Sequence, residues 1–282
     1  MSGPLDPRNS SEQMDRTGAR EPDRSYLPGS IPCQEEGELR HLEAIRDYWT
    51  MRADGYSRSI LDDLGSEDWG RWMGVIKRHA TSEGALEVLD IGTGPGFFPI
   101  LMGREGHRIT AVDYTEAMLD MARKNCQEFG VTATFRRMDA QDLAFPDNTF
   151  DLILSRNLVW DLEKPRQAYR EWLRVLRPGG RMIVFDGNHY LHLYDQAYAL
   201  EEGMRKGGDH RYLDGVDTNI IKEIARDLPL SRERRPQWDM SALVELGARL
   251  VLVDMQGMDP FQQSIDGEAI SLPRSFIVVA EK

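Results

Sequence analysis

Ten residues restrict what this chain can fold into more than any others: Val88-Leu89-Asp90-Ile91-Gly92-Thr93-Gly94-Pro95-Gly96-Phe97. The apolar residues around Asp90 read as the end of a buried parallel strand. Three glycines on alternate positions then let the backbone turn sharply and approach a ligand with no Cβ in the way. A helix runs on from Phe97 to Gly103, with Pro99 in its first turn. Strand, glycine loop and helix in that order open the ligand site of a doubly wound α/β domain. The dinucleotide fingerprint G-x-G-x-x-G needs a small third residue. Counted from Gly92 and Gly94 that place falls on Phe97, whose ring opposes the close helix approach a pyrophosphate requires.

The spacing of the strands beyond the glycine loop narrows the reading. His107 to Val112 is the second strand, ending in Asp113, a carboxylate able to accept from both hydroxyls of a ribose. Such an acid would serve NAD as well, so it points to a ribose and leaves the rest of the cofactor open. Val131 to Arg137 is the third strand, and it runs into Met138-Asp139-Ala140-Gln141-Asp142-Leu143 and the turn Phe145-Pro146-Asp147-Asn148. The fourth strand begins at Phe150-Asp151. Its end, Ser155-Arg156-Asn157, belongs at the carboxyl edge of the sheet, where ligands bind. Pro165 opens a helix whose inner face is Ala168, Tyr169, Trp172, Leu173 and Leu176. The turn Arg177-Pro178-Gly179-Gly180 then leads to a fifth strand over Met182 to Phe185.

The glycine loop, the acid after the second strand and the Asp139 to Asp151 block together resemble class I S-adenosylmethionine (SAM) methyltransferases of the small-molecule, type 11/25-like kind. The resemblance covers about residues 86–187 and, by strand pattern, 240–282. It implies a Rossmann-like α/β fold: a doubly wound, seven-stranded, mainly parallel sheet with an antiparallel last strand, preceded by a helical lid and carrying an insertion after the fifth strand. The cofactor it implies is SAM, held by Asp90, Gly92, Thr93, Gly94, Asp113, Tyr114, Met118, Asp139, Ala140, Gln141 and Asn157. From the lid segment Tyr48 to Tyr56 it implies an aromatic and a basic residue over the methionine end, here Tyr48, Arg52 and Tyr56, which share a helical face. Tyr114 and Met118 read equally well as core residues. No metal-ligand cluster is expected.

The corresponding domain plan is a disordered leader over 1–35, a helical lid over 36–80, and a SAM-binding domain over 81–282 with a substrate cap at 188–240. The leader is rich in Pro, Ser and charge and lacks apolar periodicity. The helical segment repeats apolar residues at Leu42, Ile45, Trp49, Ala53 and Tyr56. His189, beside the fifth strand's end, is the candidate base, and Trp160, Tyr190, Tyr194 and Arg235 are candidate acceptor contacts. Each also has a purely structural reading. The aromatic rings and His189 suit core packing, and Arg235 lies in the run Arg232 to Asp239, which equally suits a solvated face.

A net charge of −12 opposes nucleic acid or an acidic membrane as the main partner. Two distant cysteines, Cys33 and Cys126, give neither a disulfide framework nor metal spacing and fit reduced thiols in the cytoplasm. No apolar run has membrane-spanning length. The expectation is a cytoplasmic methyltransferase acting on a small metabolite or modified peptide at oxygen or nitrogen. A non-catalytic SAM-binding protein and an NAD-dependent oxidoreductase stay open beside it. Acceptor identity and oligomeric state are not legible.

Overall fold

The computed structural model describes residues 41–65, 69–80, 84–204, 211–255, 260–265 and 268–282. The leader expected over 1–35 and the first residues of the lid lie outside them. Seven strands form one sheet: β1 (Glu87–Ile91), β2 (Arg108–Asp113), β3 (Thr134–Arg137), β4 (Phe150–Arg156), β5 (Leu176–Gly187), β6 (Leu250–Asp254) and β9 (Ser275–Glu281). Their order is β3-β2-β1-β4-β5-β9-β6. Pairs among β1 to β5 are parallel, and β9 runs antiparallel between β5 and β6. This is the expected mainly parallel sheet with an antiparallel last strand. Burial on both faces explains the near-continuous apolar runs: Val88, Leu89, Asp90 and Ile91 are all at most 1% exposed.

Helices α1 (Leu42–Gly65) and α2 (Trp69–His79) precede the sheet, and α3 (Phe97–Arg104), α4 (Glu116–Glu128) and α5 (Pro165–Val175) connect its strands. One core layer joins Trp172, Tyr169 and Leu173 of α5 to Leu89, Ile153 and Val278 of the sheet. The opposite layer joins Phe98 and Leu101 of α3 to Ile76 of α2 and to Val88, Leu154 and Val279. Phe97, the residue that breaks the dinucleotide pattern, is 3% exposed and packs edge-on against Trp72, ring centroids 5.0 Å apart.

Two features depart from the sequence reading. The strand pattern of the sequence predicts only a short connection from Asp254 to Arg274 between the last two strands; the structure carries there a separate antiparallel pair, β7 (Pro260–Ile265) and β8 (Glu268–Pro273). Its sequence cue is the Asp266-Gly267 dipeptide between the strands, a two-residue hairpin signature that the polar run Gln262-Gln263-Ser264 disguises. The sequence predicts a helix over Ser241 to Gly247; the helix starts earlier, as α8 (Gln237–Glu245), behind Pro236. Between β5 and α8 the chain forms α6 (Gln196–Met204) and α7 (Asn219–Ala225). Among the described residues no helix is long and apolar enough to cross a membrane. Cys126 is buried, and burial pushes its thiol up to about 12. Cys33 lies outside the described residues.

Candidate active site

The strand order reverses at β1, whose neighbours are β2 and β4. A cavity opens at the carboxyl ends of these strands, where that topology leaves a crevice. It encloses about 1000 Å³ counted to its open mouth. One wall is the glycine loop. Gly92, Gly94 and Gly96 have φ of 69°, 50° and 91°, conformations that L side chains rarely adopt. A Cβ on Gly92 would stand 2.7 Å from Leu158, and one on Gly94 would stand 3.4 Å from the Tyr56 ring. The loop is held down because the amides of Gly92 and Thr93 both donate to the Val112 carbonyl. Gly92→Val should therefore weaken binding of S-adenosylhomocysteine (SAH) at least tenfold. Gly106→Ala, at φ 83° with open space around it, should cost about 1 kcal/mol of stability and leave binding alone. Titration calorimetry and urea denaturation separate the two; loss of binding in both would contradict the assignment.

Asp113, at the end of β2, is half-buried. Its Oδ2 accepts from the Gly94 amide at 2.9 Å and its Oδ1 from the Thr115 amide at 2.8 Å. Each oxygen therefore keeps a lone pair for a ligand hydroxyl. Burial raises the carboxyl to about 6, against the pull of the Thr115 and Gly94 amides. Asp139 accepts from the Gln141 amide at 2.9 Å and from its side-chain amide at 3.1 Å. Gln141 in turn receives the Lys164 amide at 2.6 Å, tying the loop after β3 to the start of α5.

Asp90 is 1% exposed and neither of its oxygens has a hydrogen-bond partner. Burial pushes it up to about 7; the nearby Thr93 hydroxyl offsets this only in part, and the Asp113 charge adds to it. An acid raised in this way stays protonated in the folded chain while the unfolded chain ionises. Its contribution to stability is thus full at pH values below about 4 and is lost as the pH rises to about 7. Asp90→Asn should flatten that part of the stability profile, measured by urea denaturation at pH 5 and 7.5. An unchanged slope would contradict this assignment.

The structure brings together Tyr56, Asp90, Gly92, Thr93, Gly94, Asp113, Tyr114, Met118, Asp139, Ala140, Gln141 and Asn157 around this one cavity. It does not bring Tyr48 or Arg52 there. Tyr48 is fully buried in a separate cluster with Trp160, Ile221, Ile224 and Leu228. Arg52 donates to the carbonyls of Tyr212 and Arg211 at 2.7 and 3.1 Å, clamping the turn before α7. The helical phase is the reason. The face of α1 over the cavity is Leu42, Ile45, Trp49, Tyr56 and Ile60, and Tyr48 and Arg52 lie on another.

The acceptor-side candidates also stand elsewhere. His189 lines no part of the cavity, and its Nε2 stands 3.5 Å from Asp186, which places it in the packing behind β5. Trp160 and Tyr190 stack at 5.1 Å outside it. Tyr194 is 46% exposed and donates to the Arg226 carbonyl. Arg235 is no anion receptor: it is 1% exposed, its Nη1 is 2.8 Å from Asp186, and it grips Asp239 through Nε and Nη2. Sequence separation hid the Asp186 partner of Arg235, 49 residues away, though not Asp239, four residues on.

Sequence reasoning missed Asp161, Trp49 and Glu163 as cavity residues. Asp161 is 5% exposed, and its Oδ2 accepts from Trp49 Nε1 at 2.6 Å. Burial pushes it up to about 8; the Trp49 bond opposes this, and Asp186 and Asp113 add to it. Glu163 Oε1 accepts the His41 amide at 2.9 Å. The apolar stripe at Leu42, Ile45, Trp49 and Tyr56 was the available signal for the helix, and nothing local marks Asp161. Among the described residues no group of acids, histidines or cysteines is arranged to hold a metal.

The site suits a nucleoside with a polar tail. Its glycine wall admits no Cβ at Gly92, its buried Asp90 and Thr93 side chains lack partners, and Asp113 has lone pairs to spare. Residues 89–184, from β1 into β5, match the family model described as a methyltransferase domain. A demethylmenaquinone methyltransferase of Tropheryma whipplei is 32% identical over 152 residues, which cover 53% of this chain and 62% of that protein. A ubiquinone/menaquinone biosynthesis C-methyltransferase of Desulfotalea psychrophila is 34% identical over 159 residues, covering 55% and 63%. The chain thus spans about three fifths of the length of these curated relatives. A SAM-dependent methyltransferase of Thermotoga maritima superposes with a TM-score of 0.53 at 16% identity, over 84% of this chain and 99% of that one, a likeness of fold.

Proposed function

We propose that this chain, whose residues 89–184 match a methyltransferase domain, is a class I SAM-dependent methyltransferase and methylates a small organic acceptor seated beside the cofactor in the cavity of β1, β2 and β4. The observation that carries the reading is the set of polar groups around that cavity that await a ligand: Asp90, Thr93 and the spare lone pairs of Asp113.

SAM supplies a methyl group on a positively charged sulfur whose departure leaves a neutral thioether. The chain's task is then to align, to exclude water and to balance charge. Asp113 would receive the ribose hydroxyls, Asp139 the adenine amino group, and the Gly92 to Gly94 backbone the methionine portion. Tyr114 and Met118 would flank the base. Trp49 and Tyr56, whose rings meet at a tilt 5.5 Å apart on α1, would cover the ligand and keep solvent out. Leu42, Ile45, Leu158 and Leu162 make much of the remaining cavity lining apolar. That lining, with two relatives named for quinone methylation, favours a flat apolar acceptor over a charged peptide.

Incubation with SAM and a small-metabolite extract should accumulate SAH. Binding of SAM without any accumulation would instead mark a binding protein. Phe97 stands against the NAD-dependent alternative, and absence of any absorbance change with nicotinamide cofactor is the expected result.

A further inference from the structure

Asp161 is, after Asp90, a second buried acid of the cavity with an oxygen left unpartnered. It is 5% exposed and lines the cavity, and its Oδ1 is buried without a hydrogen-bond partner while Oδ2 is held by Trp49. Among the described residues no cation pairs with it, and the charges that act on it, Asp186 and Asp113, are both negative. A buried carboxylate oxygen left in this state is costly unless a ligand supplies a donor or a positive charge.

Helix α1 locates it along the cavity. Tyr114 donates to Glu43 at 2.7 Å near one end, Trp49 reaches Asp161 in the middle, and Tyr56 covers Gly94 at the other end. At 1.5 Å per residue the two intervals are each about 10 Å. If Tyr114 marks the nucleoside end and the glycine loop the amino-acid end, as the proposed function has it, Asp161 stands between them, beside the sulfur.

We propose that Asp161 faces the transferring methyl group and that its free oxygen receives the O–H or N–H of the acceptor's nucleophile. The inference rests on the methyltransferase reading. It restricts the acceptor to molecules activated by losing such a proton, a phenol, an enol or an amine. In the transfer the nucleophile's electron pair forms the new bond to carbon, the pair of the broken carbon–sulfur bond stays on sulfur, and the surplus proton passes to the ionised Asp161 carboxylate, the form that the positive charge of the bound sulfonium favours. No further reactant is needed.

Sinefungin, in which a carbon bearing an amine replaces the methylated sulfur, puts an N–H donor at the position in question. The wild-type protein should bind sinefungin about tenfold or more tightly than SAH, measured by titration calorimetry. Asp161→Asn keeps an oxygen for Trp49 and should leave SAH affinity within about threefold while reducing the preference to about twofold or less. A preference that survives in the variant would overturn the proposal. If the variant does not fold, the wild type decides: equal affinity for the two ligands contradicts the proposal and leaves the cofactor reading standing. Failure of both ligands to bind would sink the two together.

Discussion

Replacing Arg235 with methionine should lower the stability of the fold by about 3–5 kcal/mol. Arg235, Asp186 and Asp239 form a buried ion network, each at most 2% exposed, and Tyr169 donates to Asp239 from α5. Burial would push Asp186 up, yet the Arg235 charge, and after it the neighbouring His189, hold it below the usual carboxylate range. Without the arginine two carboxylates remain in a buried setting with only His189 beside Asp186, which costs far more than the pair contributes when intact. For a chain of this size each kcal/mol moves the melting temperature by about 2–4 °C. The expected fall is therefore about 6–20 °C in a thermal melt. Asp186 also accepts the Trp160 amide at 3.2 Å, so the turn that carries Asp161 should loosen with it. The triple replacement Arg235→Met, Asp186→Leu, Asp239→Leu removes all three charges and should recover much of the loss. A melt of Arg235→Met within about 2 °C of wild type would show instead that the network is dispensable.

Asp113→Ala should produce the largest effect on binding. Each hydrogen bond from a ribose hydroxyl to a carboxylate is worth about 1.5–3 kcal/mol, so losing even one weakens SAH binding by about ten- to a hundredfold. The same substitution frees the Gly94 amide, whose 2.9 Å bond to Oδ2 shapes the glycine loop, and this adds to the loss. Asp113→Asn tells the two contributions apart. It keeps an acceptor oxygen for Gly94 or for a hydroxyl, and should fall between wild type and alanine. Full affinity in the alanine variant, by calorimetry, would remove Asp113 from the site.

The sheet was legible in the sequence because each core strand is buried on both faces and carries an uninterrupted apolar run, as Val88 to Ile91 and Leu152 to Leu154 do. The cofactor side of the cavity was legible because its residues lie at strand ends, where strand order and glycine spacing locate them without knowledge of packing. The acceptor side was not. Asp161 becomes a cavity residue through an indole 112 positions earlier in the chain, and Arg235 becomes a core ion through a strand 49 positions away. Trp49 was visible in its apolar stripe, yet the stripe alone does not say whether a helix faces a core or a cavity. Tyr48 and Arg52 were misplaced by this ambiguity of phase. Their chemistry suits a ligand, but the 0% and 2% exposures belong to packing against the segment 211–228.

Titration of the wild-type protein with SAH, in competition with NADH, tests the central claim most directly. SAH should bind at one site per chain, change the fluorescence of Trp49 above the cavity, and resist displacement by NADH. Absence of SAH binding at millimolar concentration, or its displacement by NADH, would contradict the assignment of this cavity to SAM.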